Sequence, residues 1–183
     1  MKPLYWLSLA LACVLGACSR TDKTQSGPPA SASAELLSEG ATAPAIDTTA
    51  HDGTHVSLAA LKGKPVVLYF YPKDDTPGCT KEACEIRDAW QKIQETGAIV
   101  LGVSTDDNAS HVAFAQKYQL PFKLLPDNDE KIAKAYGVPI RMGHAKRVTF
   151  IIDRQGKIAK VFPEVNPAGH ATEIISALTA LRT

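Results

Sequence analysis

Two cysteines, Cys79 and Cys84, carry the chemistry that this sequence supports most directly. A continuous apolar, β-rich run, Val66–Tyr71 (VVLYFY), has the pattern of a strand buried on both faces. It runs through Pro72-Lys73-Asp74-Asp75-Thr76-Pro77-Gly78 into Cys79, where helical spacing begins. A cysteine at a helix N-terminus faces the positive end of the macrodipole and unpaired backbone N–H groups. Both favour the nucleophilic thiolate over the thiol. Thr76, three residues upstream, brings a hydroxyl to the same place, and Glu82, three residues downstream, lies on the cysteine's own helical face. On one helix, Cys79 and Cys84 have Cα atoms roughly 8.7 Å apart and directed roughly 140° from each other. A disulfide wants Cα atoms within ~7 Å. The pair can bond only if the first helical turn unwinds, which suits a redox switch better than a structural staple.

The elements that must hold these residues alternate along the chain. Residues 46–58 predict a short hairpin with its turn at Asp52-Gly53. Residues 79–95 predict one helix (Ala83, Ile86, Trp90, Ile93) stopping at Gly97. Ile99–Val103 reads as a second buried strand, Ser110–Tyr118 as a helix, Lys123–Leu125 as a short strand and Asp129–Tyr136 as a helix. Arg147–Ile152 and Lys157–Phe162 flank Asp153-Arg154-Gln155-Gly156 as a hairpin, and His170–Leu181 closes the chain as an amphipathic helix. This order predicts an α/β domain over residues 38–183, a central mixed β-sheet with helices on both faces.

The N-terminus reads as an address. Lys2 precedes an apolar run from Leu4 to Leu15, too short to span a bilayer of ~30 Å but of the length and polarity of a secretory signal. Leu15-Gly16-Ala17-Cys18 resembles the lipobox of bacterial lipoproteins, which implies removal of residues 1–17 and acylation of Cys18. Several acyl chains on one cysteine anchor stably, where one would bind marginally. Ser19 in place of Asp points to the outer membrane, so the expected location is the cell envelope, with the domain facing the periplasm. Ser19–Leu37, rich in Ser, Ala, Gly and Pro, cannot offset its ordering entropy and reads as a tether, with a reach of ~25 Å.

Of the four cysteines, Cys13 then leaves with the signal and Cys18 is blocked by lipid. Cys79 and Cys84 remain as the thiols of the mature protein, in an oxidising compartment. Lys+Arg is 20 against 19 Asp+Glu, with no basic run, which argues against a nucleic-acid partner.

Pro72, Thr76 and Cys79 match the Pro-x-x-x-Thr-x-x-Cys motif of peroxiredoxins, and YFYPKDDTPGCTKEAC resembles their Q-type subfamily, also called bacterioferritin comigratory protein. The likeness continues through Gly102-Val103-Ser104, Ser110-His111, Leu120-Pro121-Phe122, Ala135-Tyr136-Gly137-Val138 and Arg147-Val148-Thr149-Phe150-Ile151-Ile152-Asp153. Pro139–Lys146 is shorter than in many Q-type members. The resemblance implies a thioredoxin-like fold and reduction of hydrogen peroxide or organic hydroperoxides. It implies a peroxidatic Cys79 that becomes a sulfenic acid and a resolving Cys84 that condenses with it to a disulfide. Thr76 would hydrogen-bond thiolate and peroxide, Pro72 would shield the site from water, Arg147 would stabilise negative charge, and Glu82 would orient Arg147. No metal or organic cofactor is implied. The expected partners are a thioredoxin-like dithiol reductant and, through the lipid anchor, a membrane. The expected assembly is a monomer or weak dimer.

Two rivals share the fold. A thiol-disulfide oxidoreductase of the periplasm would carry Cys-x-x-Cys, where this chain has Cys-x₄-Cys. A copper-delivery protein would need Cys-x₃-Cys and a well-placed histidine. His51 and His55 straddle the Asp-Gly turn, and His111, His144 and His170 read as helix-start or loop residues rather than ligands. A lipid-tethered adhesion or scaffold module would account for neither Pro72-Thr76-Cys79 nor Arg147.

Overall fold

The computed structural model describes residues 35–181, so the signal, Cys18 and most of the tether lie outside the described residues. The Val66–Phe70 strand (β3), every residue of it buried, forms the centre of a five-stranded sheet. The other strands are Ile99–Ser104 (β4), Lys123–Pro126 (β5), Val148–Ile152 (β8) and Ile158–Phe162 (β9), in the order β5-β4-β3-β8-β9. β3 pairs parallel with β4 and antiparallel with β8. β4 pairs parallel with β5, and β8 antiparallel with β9, which makes the sheet mixed.

Because side chains alternate across a strand, β3 feeds two cores. Val66, Leu68 and Phe70 join a cluster with Ile46, Val56, Ala133, Tyr136 and Phe150. Apart from Phe150, which lies on β8, these come from the Asp47–Thr49/His55–Ser57 hairpin (β1, β2), the Lys131–Ala135 helix (α4) and their flanks. Val67, Tyr69 and Tyr71 point the other way, into a cluster with Cys79, Ala83, Ile86, Ile93, Phe114, Ile174 and Leu178. That face is covered by Pro77–Asp88 (α1), Trp90–Glu95 (α2), Asn108–Tyr118 (α3) and His170–Ala180 (α5). Among the described residues the sheet is therefore covered by α-helices on both faces, as expected, with α1, α2, α3 and α5 on one side and α4 on the other.

Two expectations need correction. The predicted single helix over 79–95 is two, broken at Ala89 (φ −88, ψ 3). Ala83, Ile86, Trp90 and Ile93 keep their three-to-four spacing across the break, so hydrophobic periodicity does not register it. The segment 139–146 also holds an unforeseen two-stranded hairpin, Ile140–Arg141 (β6) with His144–Ala145 (β7), turning through Met142 and Gly143 at positive φ.

Candidate active site

The site forms where β3 ends. Tyr71 is followed by a loop in which Asp75 takes positive φ (54°), a conformation that short acidic side chains tolerate. Its carboxylate accepts hydrogen bonds from Lys117 Nζ at 2.6 Å and from Tyr118 Oη at 2.6 Å, tying the loop to the end of α3. A second tie is buried. Asp74 accepts from Tyr71 Oη at 2.7 Å and from Ser110 Oγ at 2.8 Å, and lies 2.8 Å from His111 Nδ1. Its own backbone N–H donates to Asp106. Burial opposes the Asp74 charge, but His111, Tyr71 and Ser110 outweigh it and hold the carboxyl below its ordinary range. Pro72 is half-buried in this fixed loop.

Thr76 occupies the N-cap of α1 with extended backbone (φ −91, ψ 151), and Pro77 takes the first helical position, where no N–H is needed. The Thr76 hydroxyl donates to the Lys73 carbonyl at 3.0 Å and makes no side-chain cap. The first intrahelical bond runs from the Thr80 N–H to the Thr76 carbonyl, which leaves the Gly78 and Cys79 N–H groups at the open end of the helix. Cys79 itself is 2% exposed and Cys84 is half-buried; both are free thiols on α1.

Arg147 immediately precedes β8 and, by strand alternation, points to the same side as Thr149 and Ile151, toward α1. Its Nη2 donates to Cys79 Sγ at 3.2 Å, and its Nη1 donates to Glu82 Oε2. Burial disfavours the guanidinium charge, but Glu82 and Cys79 outweigh it and raise its pKa above the ordinary value. Glu82 is fully buried. Burial pushes its carboxyl up to about 7, with Glu85 adding repulsion and Arg147 pulling the other way. Cys79, Glu82 and Arg147 thus form one contiguous group, with Thr76 at the helix start beside it.

Sequence reasoning missed the floor of this site. Tyr69 lies beneath it, stacked on Tyr71 at 5.4 Å between ring centroids, and is influenced by Glu82, Cys79 and Arg147. Its ring needs Gly102 on the paired strand, because a Cβ there would lie 2.7 Å from Tyr69 Oη. His170 and His111 read from sequence as no more than helix-start or loop residues; both are fully buried and hydrogen-bonded near the site. No spacing rule marks either one. An apolar hollow of about 210 Å³, lined by Leu58, Leu61, Val66 and Ile152 among others, opens at the opposite ends of β3 and β8 and shares no residue with the site.

Such a group places a cation against one buried sulfur at the open end of a helix, which equips it for nucleophilic attack with electrostatic stabilisation of a leaving oxygen. Among the described residues, no group of three or more His, Cys, Asp or Glu side chains is placed to hold a metal ion. The AhpC/TSA family model matches residues 40–161. A Coxiella burnetii protein named as a peroxiredoxin, bcp, is 47% identical over 146 residues, covering 76% of this chain and 97% of that protein. The chloroplastic peroxiredoxin Q of Suaeda salsa is 46% identical over 148 residues, 79% of this chain and 69% of that protein. Among solved structures, the peroxidoxin BcpB of Mycobacterium tuberculosis superimposes with TM-score 0.75 at 35% identity, over 80% of this chain and 99% of that one. The bacterioferritin comigratory protein of Xanthomonas campestris, studied for alkyl peroxide reduction in trapped intermediate and ligand complexes, gives 0.73 at 33% identity, over 82% and 99%.

Proposed function

Because the chain belongs to the AhpC/TSA family and is a thiol peroxidase of the peroxiredoxin Q type, we propose that it reduces hydrogen peroxide and organic hydroperoxides through Cys79, with Cys84 as the resolving thiol. The observation that carries this reading is the Arg147 guanidinium bonded to the buried Cys79 sulfur at the open end of α1. The Cys79 thiolate attacks the terminal peroxide oxygen and the O–O bond breaks. The sulfur becomes a sulfenic acid, and the other oxygen leaves with a proton as water or alcohol. Two of the five N–H donors of Arg147 hold the sulfur and Glu82; the others can meet the negative charge that grows on the leaving oxygen. The Cys84 thiol then displaces water from the sulfenic acid, forming the Cys79–Cys84 disulfide. A thioredoxin-like dithiol reduces this disulfide back to two thiols. The alkyl peroxide activity of the Xanthomonas campestris relative supports the organic substrates.

The leader extends the proposal to location. Acylation of Cys18 after removal of residues 1–17 would hold the domain at the outer membrane, facing the periplasm, where a periplasmic dithiol carrier must supply the electrons. The lipobox resemblance of Leu15–Cys18 supports this. Loss of membrane-fraction recovery in Cys18→Ala, with the wild type retained there, is the expected result. Equal recovery of both would remove the anchor. For the chemistry, peroxide consumption by wild type and Cys79→Ser is compared with and without a dithiol. Turnover only in wild type with dithiol is expected, and turnover by Cys79→Ser overturns the assignment.

A further inference from the structure

Behind Glu82 lies a second layer of buried polar groups that the reaction as described does not use. Glu82 Oε2 is bound by Arg147, whereas Oε1 is buried without a hydrogen-bond partner and faces His170 Nε2 at 3.9 Å. His170 is the first residue of α5 and is itself fully buried. Its Nε2 lies 2.9 Å from Thr149 Oγ1, and its Nδ1 lies 3.0 Å from Glu173 Oε2, whose side chain is exposed. Sulfur, guanidinium, carboxyl, imidazole and a surface carboxylate therefore follow one another from Cys79 to solvent.

We propose that His170 is a positioning residue of the peroxidase site: facing the free oxygen of Glu82, it keeps that carboxylate engaged with Arg147 and so holds the guanidinium against Cys79 Sγ. The inference rests on the reading of Cys79 as the peroxidatic cysteine. A carboxylate out of water needs partners on both oxygens, and Arg147 supplies one. An ionised Glu173 only accepts hydrogen bonds, so it fixes a proton on Nδ1. Nε2 of the neutral ring then accepts from the Thr149 hydroxyl. When the ring takes a second proton, Nε2–H faces both Thr149 and Glu82. One proton can thus reside on either the carboxyl or the imidazole. When it resides on the ring, Glu82 is an anion held from both sides. When it resides on Glu82, Arg147 loses its ion pair.

The groups facing Glu82 are Cys79 and Glu85 from its own helix, Tyr69 from β3, Arg147 and Thr149 at the start of β8, and His170 with Glu173 behind it from α5. Burial pushes the His170 imidazole down, opposed by Glu173 and reinforced by Arg147, and burial pushes the Glu82 carboxyl up to about 7. Both shifts favour the neutral form of their group, so burial alone favours the neutral pair, and the Arg147 charge beside Oε2 opposes it by favouring the Glu82 anion.

The test is the pH profile of the first oxidation of Cys79 by hydrogen peroxide, followed by stopped-flow fluorescence in the full chain. His170→Leu should raise the midpoint of the Glu82-dependent limb by about one pH unit, and so slow oxidation about fivefold at neutral pH. His170→Gln, whose amide can donate to Oε1, should recover at least half of that shift. In a Glu82→Gln background, His170→Leu should leave the profile where Glu82→Gln alone puts it. Nitrogen NMR of the imidazole supplies a readout independent of turnover: Glu82→Gln should move the titration of His170. A His170→Leu profile lowered equally at every pH, or a His170 titration indifferent to Glu82→Gln, would reduce His170 to packing and overturn the inference. Wild-type Cys79 that peroxide does not oxidise would overturn the peroxidase reading instead, and the positioning role with it.

Discussion

Cys79 and Cys84 share α1, but the protein holds them by different means. Cys79 is buried at the open end of the helix, and its hydrogen-bond partner, Arg147, lies 68 residues away in sequence at the start of β8. Cys84 is half-buried in mid-helix, and the cation beside it is Arg87, three residues on. Arg87 is anchored by Asp88 next door and by the Tyr118 carbonyl at 2.8 Å. The nucleophile's surroundings are tertiary: sheet, α1 and α5 must all be in place to build them. The second thiol carries much of its surroundings within its own helical segment. An unwinding of the first turn would therefore take Cys79 away from Arg147 and Glu82 while Cys84 keeps Arg87. In this arrangement, the attack step demands the intact fold and the condensation step demands local release from it.

Breaking the tertiary end should have the largest effects. Cys79→Ser should abolish turnover, since a hydroxyl cannot supply a thiolate; peroxide consumption with excess dithiol measures this. Arg147→Ala should slow the first oxidation by about a hundredfold or more, the loss seen when a charge-stabilising donor is removed. Stopped-flow rates within a factor of three of wild type would make Arg147 a bystander and erase the contrast between the two thiols.

Cys84→Ser should separate the steps. It should consume about one equivalent of peroxide at a rate within about twofold of wild type, then stall as sulfenic acid and over-oxidise under excess peroxide. Mass spectrometry of Cys79 reads the product. In wild type, hydrogen exchange across residues 76–90 should be slow in the reduced protein and locally fast in the disulfide form. Identical exchange in the two states would mean that the pair does not bond within one chain.

The smallest effect concerns stability rather than rate. Glu82 has a folded-state pKa of about 7 against an ordinary 4.5, so the folded protein binds its proton more tightly than the unfolded chain does. Its contribution to stability is fully present below about pH 4.5 and is lost as pH rises through about 7, a swing of about 3 kcal/mol. Denaturant melts of wild type against Glu82→Gln should show the wild type losing ground by that amount over this interval. Parallel curves would mean that Glu82 is ionised throughout and that Arg147 alone satisfies it.

Much of this molecule was legible before any coordinates. Val66–Tyr71 declares itself a doubly buried strand because six consecutive apolar, β-favouring residues leave no solvent face. The helical spacing that begins at Cys79 marks the start of α1 to within two residues of Pro77, where the helix begins, and the Cys-x₄-Cys spacing forbids a disulfide within an intact helix. These are local properties, set by residues within a turn or a strand of one another. The break at Ala89 escaped because the apolar spacing runs through it undisturbed, and the β6–β7 hairpin escaped because two-residue strands carry no periodicity. Arg147 could be singled out only through a family motif; as an isolated residue it reads as a surface cation. The burial of His170, its approach to Glu82 and Thr149, and the Asp74–His111 tie beneath the loop belong to the tertiary structure. The sheet order brings β8 beside β3, and α5 packs over both cysteines' helix. Contacts between residues 65 or 68 positions apart depend on how the sheet is assembled, and no spacing within a single element can encode them.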